Sequence, residues 1–343
     1  MRFDLTVALL SAWFVIGVYV DGWAHNNGVV DGTFFTPYHA LLYSGVAAAG
    51  LYLGITQFRN VNQGYAWRLA LPKGYLLSLI GVVLFLLGGG FDFVWHSLFG
   101  FEADRAALLS PSHLLLAVSG GLILTGPIRA AWSRTRSEQR QGWIGFFPVI
   151  LSITLFAGLL LFFSMYANPF MTWWASTGRH PVGQDEFFRD VLIIASAIIP
   201  MTVLTGVLLF ALRRWGKQLP FGSVTFIVLI NAVFSFWLSL GLDILPLPER
   251  AATLLCAVAA GLIGDILLRV QDPRRGGWGL RAFAFFVPFV WVVAYYVLLD
   301  TIHGMWWVIH LSLGTAFITG IAGLLLSYLM LPPAFPDEAH SSS

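Results

Sequence analysis

The sequence predicts an all-helical membrane protein, a polytopic bundle of about ten transmembrane helices. Of its 343 residues, 58% are hydrophobic and only 10% are charged, a balance far outside that of soluble domains. About 20 apolar residues cross a bilayer as a helix, and the apolar stretches of this chain have that length. They lack the ten-residue alternation of barrel strands, so each stretch is expected to be helical.

The predicted helices follow one another with short loops between most of them. They cover, in order, residues of about 5–22, 38–58, 75–95, 112–132, 144–166, 188–212, 222–245, 250–270, 281–300 and 305–331. We expect a single transmembrane domain over residues 1–331. Residues 332–343 are polar and contain proline, which predicts a disordered cytoplasmic tail.

The positively charged residues predict the orientation. With a cytoplasmic amino terminus, 15 of the 19 Lys and Arg residues fall on the cytoplasmic side and 4 outside. Because cytoplasmic loops are enriched in positive charge, we expect a multi-pass protein of the cell (inner) membrane with both termini cytoplasmic. The net charge of +2 is small and dispersed, which argues against nucleic acid as a partner. The lipid bilayer is the expected surrounding, and the sequence leaves partner membrane subunits and a homo-oligomer open.

A duplicated motif is the most informative feature of the chain. Residues 21–45 read DGWAHNNGVVDGTFFTPYHALLYSG, and residues 92–120 read DFVWHSLFGFEADRAALLSPSHLLLAVSG. Each copy has Asp-x3-His, followed after 13 or 16 intervening residues by the His of a [Ser/Thr]-Pro-x-His segment. The repetition predicts two related helical hairpins, repeat 1 over residues 5–58 and repeat 2 over residues 75–132.

Each copy places one carboxylate and two imidazoles at the same predicted membrane depth. Asp21 and His25 share one helix face because they lie four residues apart. Thr36 and Pro37 resemble an N-cap followed by proline at the first helical position, which puts His39 in the first turn of the next helix. We call Asp21, His25 and His39 the first trio, and the equivalent Asp92, His96 and His113, preceded by Ser110 and Pro111, the second trio.

Two imidazoles and one carboxylate form an open ligand set for a transition metal. The chain has one cysteine, Cys256, so any metal must be held by histidines and carboxylates. We expect copper first and iron or zinc next. Imidazole and carboxylate ligands bind all three metals, so the ligand types alone do not identify the metal. A weaker, second-tier set at the same predicted surface comprises Asp243, Asp300, His303 and His310.

The two trios are expected to share one centre that faces the extracytoplasmic side. Six ligands at one cleft suit either a dinuclear centre or one ion. Gly22 and Gly88–Gly90 lie beside the acidic residues, which predicts a close approach of the helices that carry Asp21 and Asp92. A divalent ion would also offset the cost of holding two carboxylates near the membrane.

The trio motif resembles the metal motif in the C subunit of the particulate methane and ammonia monooxygenases, which are copper membrane enzymes. The resemblance covers about 25 residues in each copy, through Asp21, His25 and His39 and again through Asp92, His96 and His113. The family has one such motif with twelve residues between its histidines, whereas this chain has two copies with longer spacers. The resemblance implies copper and the oxidation of a small or lipophilic substrate.

Other functions stay open from the sequence. Membrane zinc hydrolases of the alkaline ceramidase type also use intramembrane His, Asp and Ser, but their Ser-x3-His and His-x3-His set is not found here. A small-solute or ion transporter would place polar residues near mid-bilayer, where Asn231 is nearly alone. The sequence does not show whether a coordination position stays open, so it does not decide between a metal-dependent oxidoreductase and a metal-handling protein.

Overall fold

The computed structural model contains helices joined by turns and irregular segments in the part of the chain that it describes. The described residues are 2–29, 36–100, 107–135, 137–167, 184–242, 247–270, 277–302 and 304–332. No strand occurs among them, so the predicted all-helical class is confirmed for these ranges.

Each predicted apolar stretch overlaps an observed helix. In the described ranges the α-helices are α1 (Arg2–Asn26), α2 (Pro37–Asn62), α3 (Leu76–Phe99), α4 (Pro111–Leu124), α5 (Gly126–Trp132), α6 (Gly142–Phe163), α7 (Gln184–Arg214), α8 (Ser223–Ser239), α9 (Leu247–Ala252), α10 (Leu254–Val270), α11 (Trp278–Ile302) and α12 (Ile309–Met330).

Within the described ranges, seven helices are long and apolar enough to cross a membrane. The pair formed by α4 and α5 is an eighth candidate, bent by 43°. Helices α8 and α10 match the predicted spans 222–245 and 250–270, but each has only 17 residues. At 1.5 Å per residue such a helix is about 25 Å long, slightly less than a hydrocarbon core of about 30 Å. The helices therefore support a multi-pass membrane protein, and the count of ten spans stays a prediction.

The predicted span over residues 112–132 is broken where α4 meets α5. Pro127, in the first turn of α5, has no backbone N–H to donate to the carbonyl of Ile123 four residues earlier. The hydroxyl of Ser78 in α3 lies 3.2 Å from that carbonyl oxygen and 3.1 Å from the carbonyl oxygen of Leu122. Because lipid offers no donor to a bare carbonyl, this side-chain donor stabilises the bend.

The chain divides into two compact units. Unit 1 comprises Met1–Tyr166 and Phe234–Leu242, and unit 2 comprises Ala167–Val233 and Asp243–Ser343. Both trios lie in unit 1. The expectation of a single domain over residues 1–331 stays a prediction.

Unit 1 is built from two helical hairpins, α1–α2 and α3–α4, with α6 packed against α1 and α4. The first hairpin is closely packed because small residues face backbone at the crossing. A Cβ atom at Gly17 would lie 2.5 Å from the Cα atom of Leu42, and one at Gly45 would lie 2.6 Å from the backbone nitrogen of Phe14. Helices α3 and α4 also pack against each other, and the relation of the two hairpins by duplication stays a prediction.

Unit 2 packs α11 against α7, α10 and α12. Its buried carboxylate, Asp265 in α10, accepts hydrogen bonds from the backbone N–H groups of Val224 and Thr225 at 3.2 and 3.0 Å. These contacts give the buried carboxyl oxygens hydrogen-bond donors and give the N–H groups at the start of α8 acceptors.

The outer surfaces of the long helices are apolar. On α2 and α3, large side chains such as Leu51, Ile55 and Leu87 are exposed. Extended apolar surface on helices of this length is typical of contact with lipid.

Candidate metal centre

Both hairpins present their second histidine in the same way. Helix α2 begins after Thr36, whose hydroxyl accepts a hydrogen bond from the N–H of His39 at 3.1 Å. Helix α4 begins after Ser110, whose hydroxyl accepts from the N–H of His113 at 3.3 Å. A proline occupies the first helical position in each copy. The predicted N-cap, proline and first-turn histidine are therefore confirmed in both hairpins.

The first trio gathers around the carboxylate of Asp21. Its Oδ1 atom lies 3.5 Å from Nε2 of His39, and its Oδ2 atom lies 3.8 Å from Nε2 of His25. The side chain of Asp21 is only 13% exposed, whereas that of His25 is 42% exposed. The first trio is therefore open to its surroundings on the side of His25.

The second trio has the same composition and is more enclosed. Nε2 of His96 and Nδ1 of His113 lie 3.5 and 3.4 Å from the same oxygen, Oδ1 of Asp92. The side chains of Asp92 and His96 are 4% and 8% exposed. The rings of the two histidines lie 5.7 Å apart between centroids, close to the 6.0 Å of the first trio.

Two serine hydroxyls, those of Ser110 and Ser112, contact side chains of the second trio. Ser112 donates a hydrogen bond to Oδ1 of Asp92 at 2.7 Å, and its hydroxyl lies 3.1 Å from that of Ser110. The Ser110 hydroxyl in turn lies 2.7 Å from Nδ1 of His113. Such outer contacts fix the orientation of metal ligands.

The ring of His96 lies between the end of α3 and the carboxylate of Asp92. Its Nδ1 atom lies 3.2 Å from the carbonyl oxygen of Gly100, and its Nε2 atom lies 3.5 Å from Oδ1 of Asp92. Gly100 adopts a positive φ of 83° as the C-cap, and its N–H donates to the His96 carbonyl at 2.9 Å. The contact with Gly100 therefore orients the ring so that Nε2 faces the carboxylate of Asp92.

The spacing of the ligand atoms suits a transition metal. In each trio one ligand atom per residue can be chosen so that all three lie within 4.8 Å of one another. Around an ion with bonds of about 2.0 to 2.2 Å, neighbouring ligand atoms lie about 3.0 to 3.5 Å apart. The distances of 3.4 to 3.8 Å between carboxylate and imidazole atoms need only a small contraction to meet that geometry.

The ligand atoms form two groups of three. The groups are neighbours, because Asp21 lies within electrostatic range of Asp92 and His25 lies within electrostatic range of His96. A centre shared by both trios stays a prediction.

The glycines expected to bring α1 and α3 together have other neighbours. A Cβ atom at Gly22 would meet the ring of Phe162 in α6, and one at Gly88 would lie 3.0 Å from the side chain of Leu116 in α4. These glycines make room for side chains of other helices, so the expectation of a close α1–α3 backbone approach at these positions is wrong.

The remaining predicted residues do not form a third trio in the described ranges. Asp300, near the end of α11, and His310, in the first turn of α12, are both exposed. Asp243 and His303 lie outside the described residues. Among the residues that the structure describes, only the two trios bring three such ligands together.

The sequence did not point to Ser112 or Gly100. Ser112 stands at the unspecified position of the [Ser/Thr]-Pro-x-His segment, where the first copy has Tyr38. A hydroxyl directly before a predicted ligand is a weak signal that could have marked it. The Gly100 carbonyl carries no side-chain signal, so its contact with His96 appears only in the folded chain.

Comparison with known proteins gives no relative: no family model, no curated protein and no solved structure matches this chain.

Proposed function

We propose that this protein is an integral membrane metalloprotein that binds transition-metal ions through the first and second trios. The observation that carries the proposal is the gathering of two imidazoles at one buried carboxylate: Nε2 of His96 and Nδ1 of His113 lie 3.5 and 3.4 Å from Oδ1 of Asp92. One carboxylate and two imidazoles are a ligand set that transition-metal ions bind. The first trio repeats the same residue types with similar spacing.

Copper is the metal that we propose first, with iron and zinc next. Imidazole binds all three, and copper(II) forms the most stable complexes with a given set of nitrogen and oxygen ligands. Three protein ligands leave at least one coordination position for water or a substrate, as in catalytic metal sites. Together with the resemblance to the copper membrane monooxygenases, this favours an oxidoreductase.

Metal handling is the second candidate function. It is favoured by the exposure of His25, because a ligand that the surroundings reach allows an ion to enter and leave. The enclosed second trio has no side chain exposed to the same degree. On this proposal the first trio accepts the ion and the second retains it.

Metal analysis of the detergent-purified protein tests the proposal. We expect about one or two transition-metal ions per chain, and a large loss of metal from both His25→Ala and His96→Ala. His340→Ala, in the polar tail, is the matched control and should keep the metal content. Equal metal content in all three variants would refute metal binding by the trios.

We propose that both trios face the extracytoplasmic side. The orientation rests on the charge bias, with 15 of 19 Lys and Arg residues on the opposite side. A reporter fused after Arg136 should read cytoplasmic, and one inserted near Asp104 should read extracytoplasmic. The reverse pattern would place the trios on the cytoplasmic face.

A further inference from the structure

A cavity lies between α2 and α3, beside the first trio. Its volume is about 640 Å³, and its walls include His39, Ala40, Tyr43, Leu86, Gly90 and Phe93. Ligand cavities for small molecules have volumes of about 300 to 1,000 Å³, so this cavity is large enough to hold one.

The walls of the cavity are mostly apolar, with a few polar groups on one side. Among the residues that the structure describes, no Asp, Glu, Lys or Arg lines the cavity, and most of the lining is aliphatic or aromatic. The polar groups come from α2: the imidazole of His39, the Tyr43 side chain and Thr36, whose hydroxyl accepts from the His39 N–H. A charged molecule would lose its hydration without gaining a counter-charge, so the walls favour an uncharged one.

His39 belongs both to the cavity and to the first trio. Its Nε2 atom lies 3.5 Å from Oδ1 of Asp21, and its ring lies 6.3 Å from the ring of Tyr43 between centroids. Leu86 and Phe93 line the cavity and are exposed on the apolar outer surface of α3. The cavity thus runs from a surface suited to lipid toward a predicted metal ligand.

We infer that this cavity binds an uncharged lipophilic molecule with a single hydrogen-bonding group. The molecule enters from the bilayer between α2 and α3 and places its polar group beside His39 and Tyr43, while its apolar part lies against Leu86 and Phe93. The inference rests on the proposed function in one respect: if the first trio binds a metal ion through His39, that ion lies next to the polar group of the bound molecule.

Gly90 offers a way to close the cavity without disturbing the trios. A Cβ atom built there meets no other atom within 4 Å, so a larger side chain would occupy open space. Gly54 in α2 is a matched control, because a Cβ atom there also meets nothing within 4 Å and Gly54 is not among the lining residues. Both glycines lie inside helices, where a side chain also favours the helical backbone.

The probe is 1-decanol that carries a photoreactive diazirine, added to the full-length protein in phospholipid nanodiscs. We expect crosslinks in the native protein to concentrate on the cavity walls and to be displaced by excess plain 1-decanol. Gly90→Phe should lower this labelling about tenfold, equivalent to about 1.4 kcal/mol of binding free energy, while Gly54→Phe should leave it unchanged. Equal labelling in Gly90→Phe, or labels spread evenly over the outer surfaces of α2 and α3, would overturn the inference.

Two positions of the diazirine test the orientation of the molecule. A diazirine next to the hydroxyl should mark His39 or Tyr43, and one at the far end of the chain should mark Leu86 or Phe93. The reversed pattern would refute the proposed orientation.

Metal content measured on the same samples separates this inference from the proposed function. Gly90→Phe should keep its metal. Metal-free protein whose labelling still depends on Gly90 would support the cavity and refute metal binding, whereas metal-loaded protein without cavity labelling would refute the cavity alone.

Discussion

Removing the Ser112 hydroxyl should weaken metal binding at the second trio. This hydroxyl is fully buried and donates to Oδ1 of Asp92 at 2.7 Å. The same oxygen is the atom that both histidines of the second trio approach. Ser112→Ala therefore removes the contact that orients the carboxylate and leaves the ligands themselves in place.

The size of the effect follows from the burial of Asp92. A hydrogen bond to a charged group contributes about 1.5 to 3 kcal/mol. The Asp92 side chain is only 4% exposed, so water cannot easily take the place of the lost hydroxyl donor. We therefore expect a loss of binding free energy of about 1.5 to 3 kcal/mol. At about 1.4 kcal/mol per factor of ten, metal affinity at the second trio should fall about tenfold to a hundredfold.

The assay is a titration of metal-free protein with Co²⁺, followed by visible absorption and repeated in competition with a chelator. Ser119→Ala is the matched control, because Ser119 is also fully buried in α4 but donates to the Leu115 carbonyl. Its affinity should match that of the native protein. An affinity for Ser112→Ala within twofold of that control would refute the idea that this hydroxyl positions a metal ligand.

Two further predictions concern the carboxylates and the packing of the first hairpin. Asp21→Ala combined with Asp92→Ala should lower metal content barely more than either single change, because a shared centre needs both; losses of one ion per change would instead show two independent sites. Gly45→Ala would press a methyl group to 2.6 Å from the backbone nitrogen of Phe14 and should destabilise the protein by about 1 to 3 kcal/mol, measured by thermal unfolding in detergent. Gly54→Ala, where a Cβ atom meets nothing within 4 Å, should not lower stability, and equal shifts would contradict the packing argument.

The helices and the trios could be predicted because their causes are local in sequence. A run of apolar residues makes a helix in lipid whatever lies beside it, and an Asp four residues before a His shares its face. The Thr36 and Ser110 caps are equally local, since each hydroxyl reaches an N–H three residues along the chain. These short-range rules place the Asp and the two His of each trio at the adjoining ends of two helices that follow each other in the chain.

What could not be predicted depends on contacts between helices. Pro127 is visible in the sequence, but the hydroxyl that stabilises the bend belongs to Ser78, about fifty residues earlier in the chain. The donor from Ser112 to Asp92 likewise joins α4 to α3. Helix packing also decides which residues a glycine faces. Gly22 was expected to face α3, but it faces the ring of Phe162 in α6.

The hydrogen bonds between α3 and α4 also set how far the two helices can slide past each other. Near the start of α3, the Ser78 hydroxyl contacts backbone carbonyls in the last turn of α4. Near the end of α3, the Asp92 carboxylate accepts a hydrogen bond from Ser112 in the first turn of α4. The two attachments on α3 are about 21 Å apart at 1.5 Å per residue. A shift of one helical turn would break both of them, so the register between Asp92 and His113 is fixed from both ends of the hairpin. A substitution at Ser78, at the opposite end of α3 from Asp92, would therefore displace the ligands of the second trio by shifting α4 along α3.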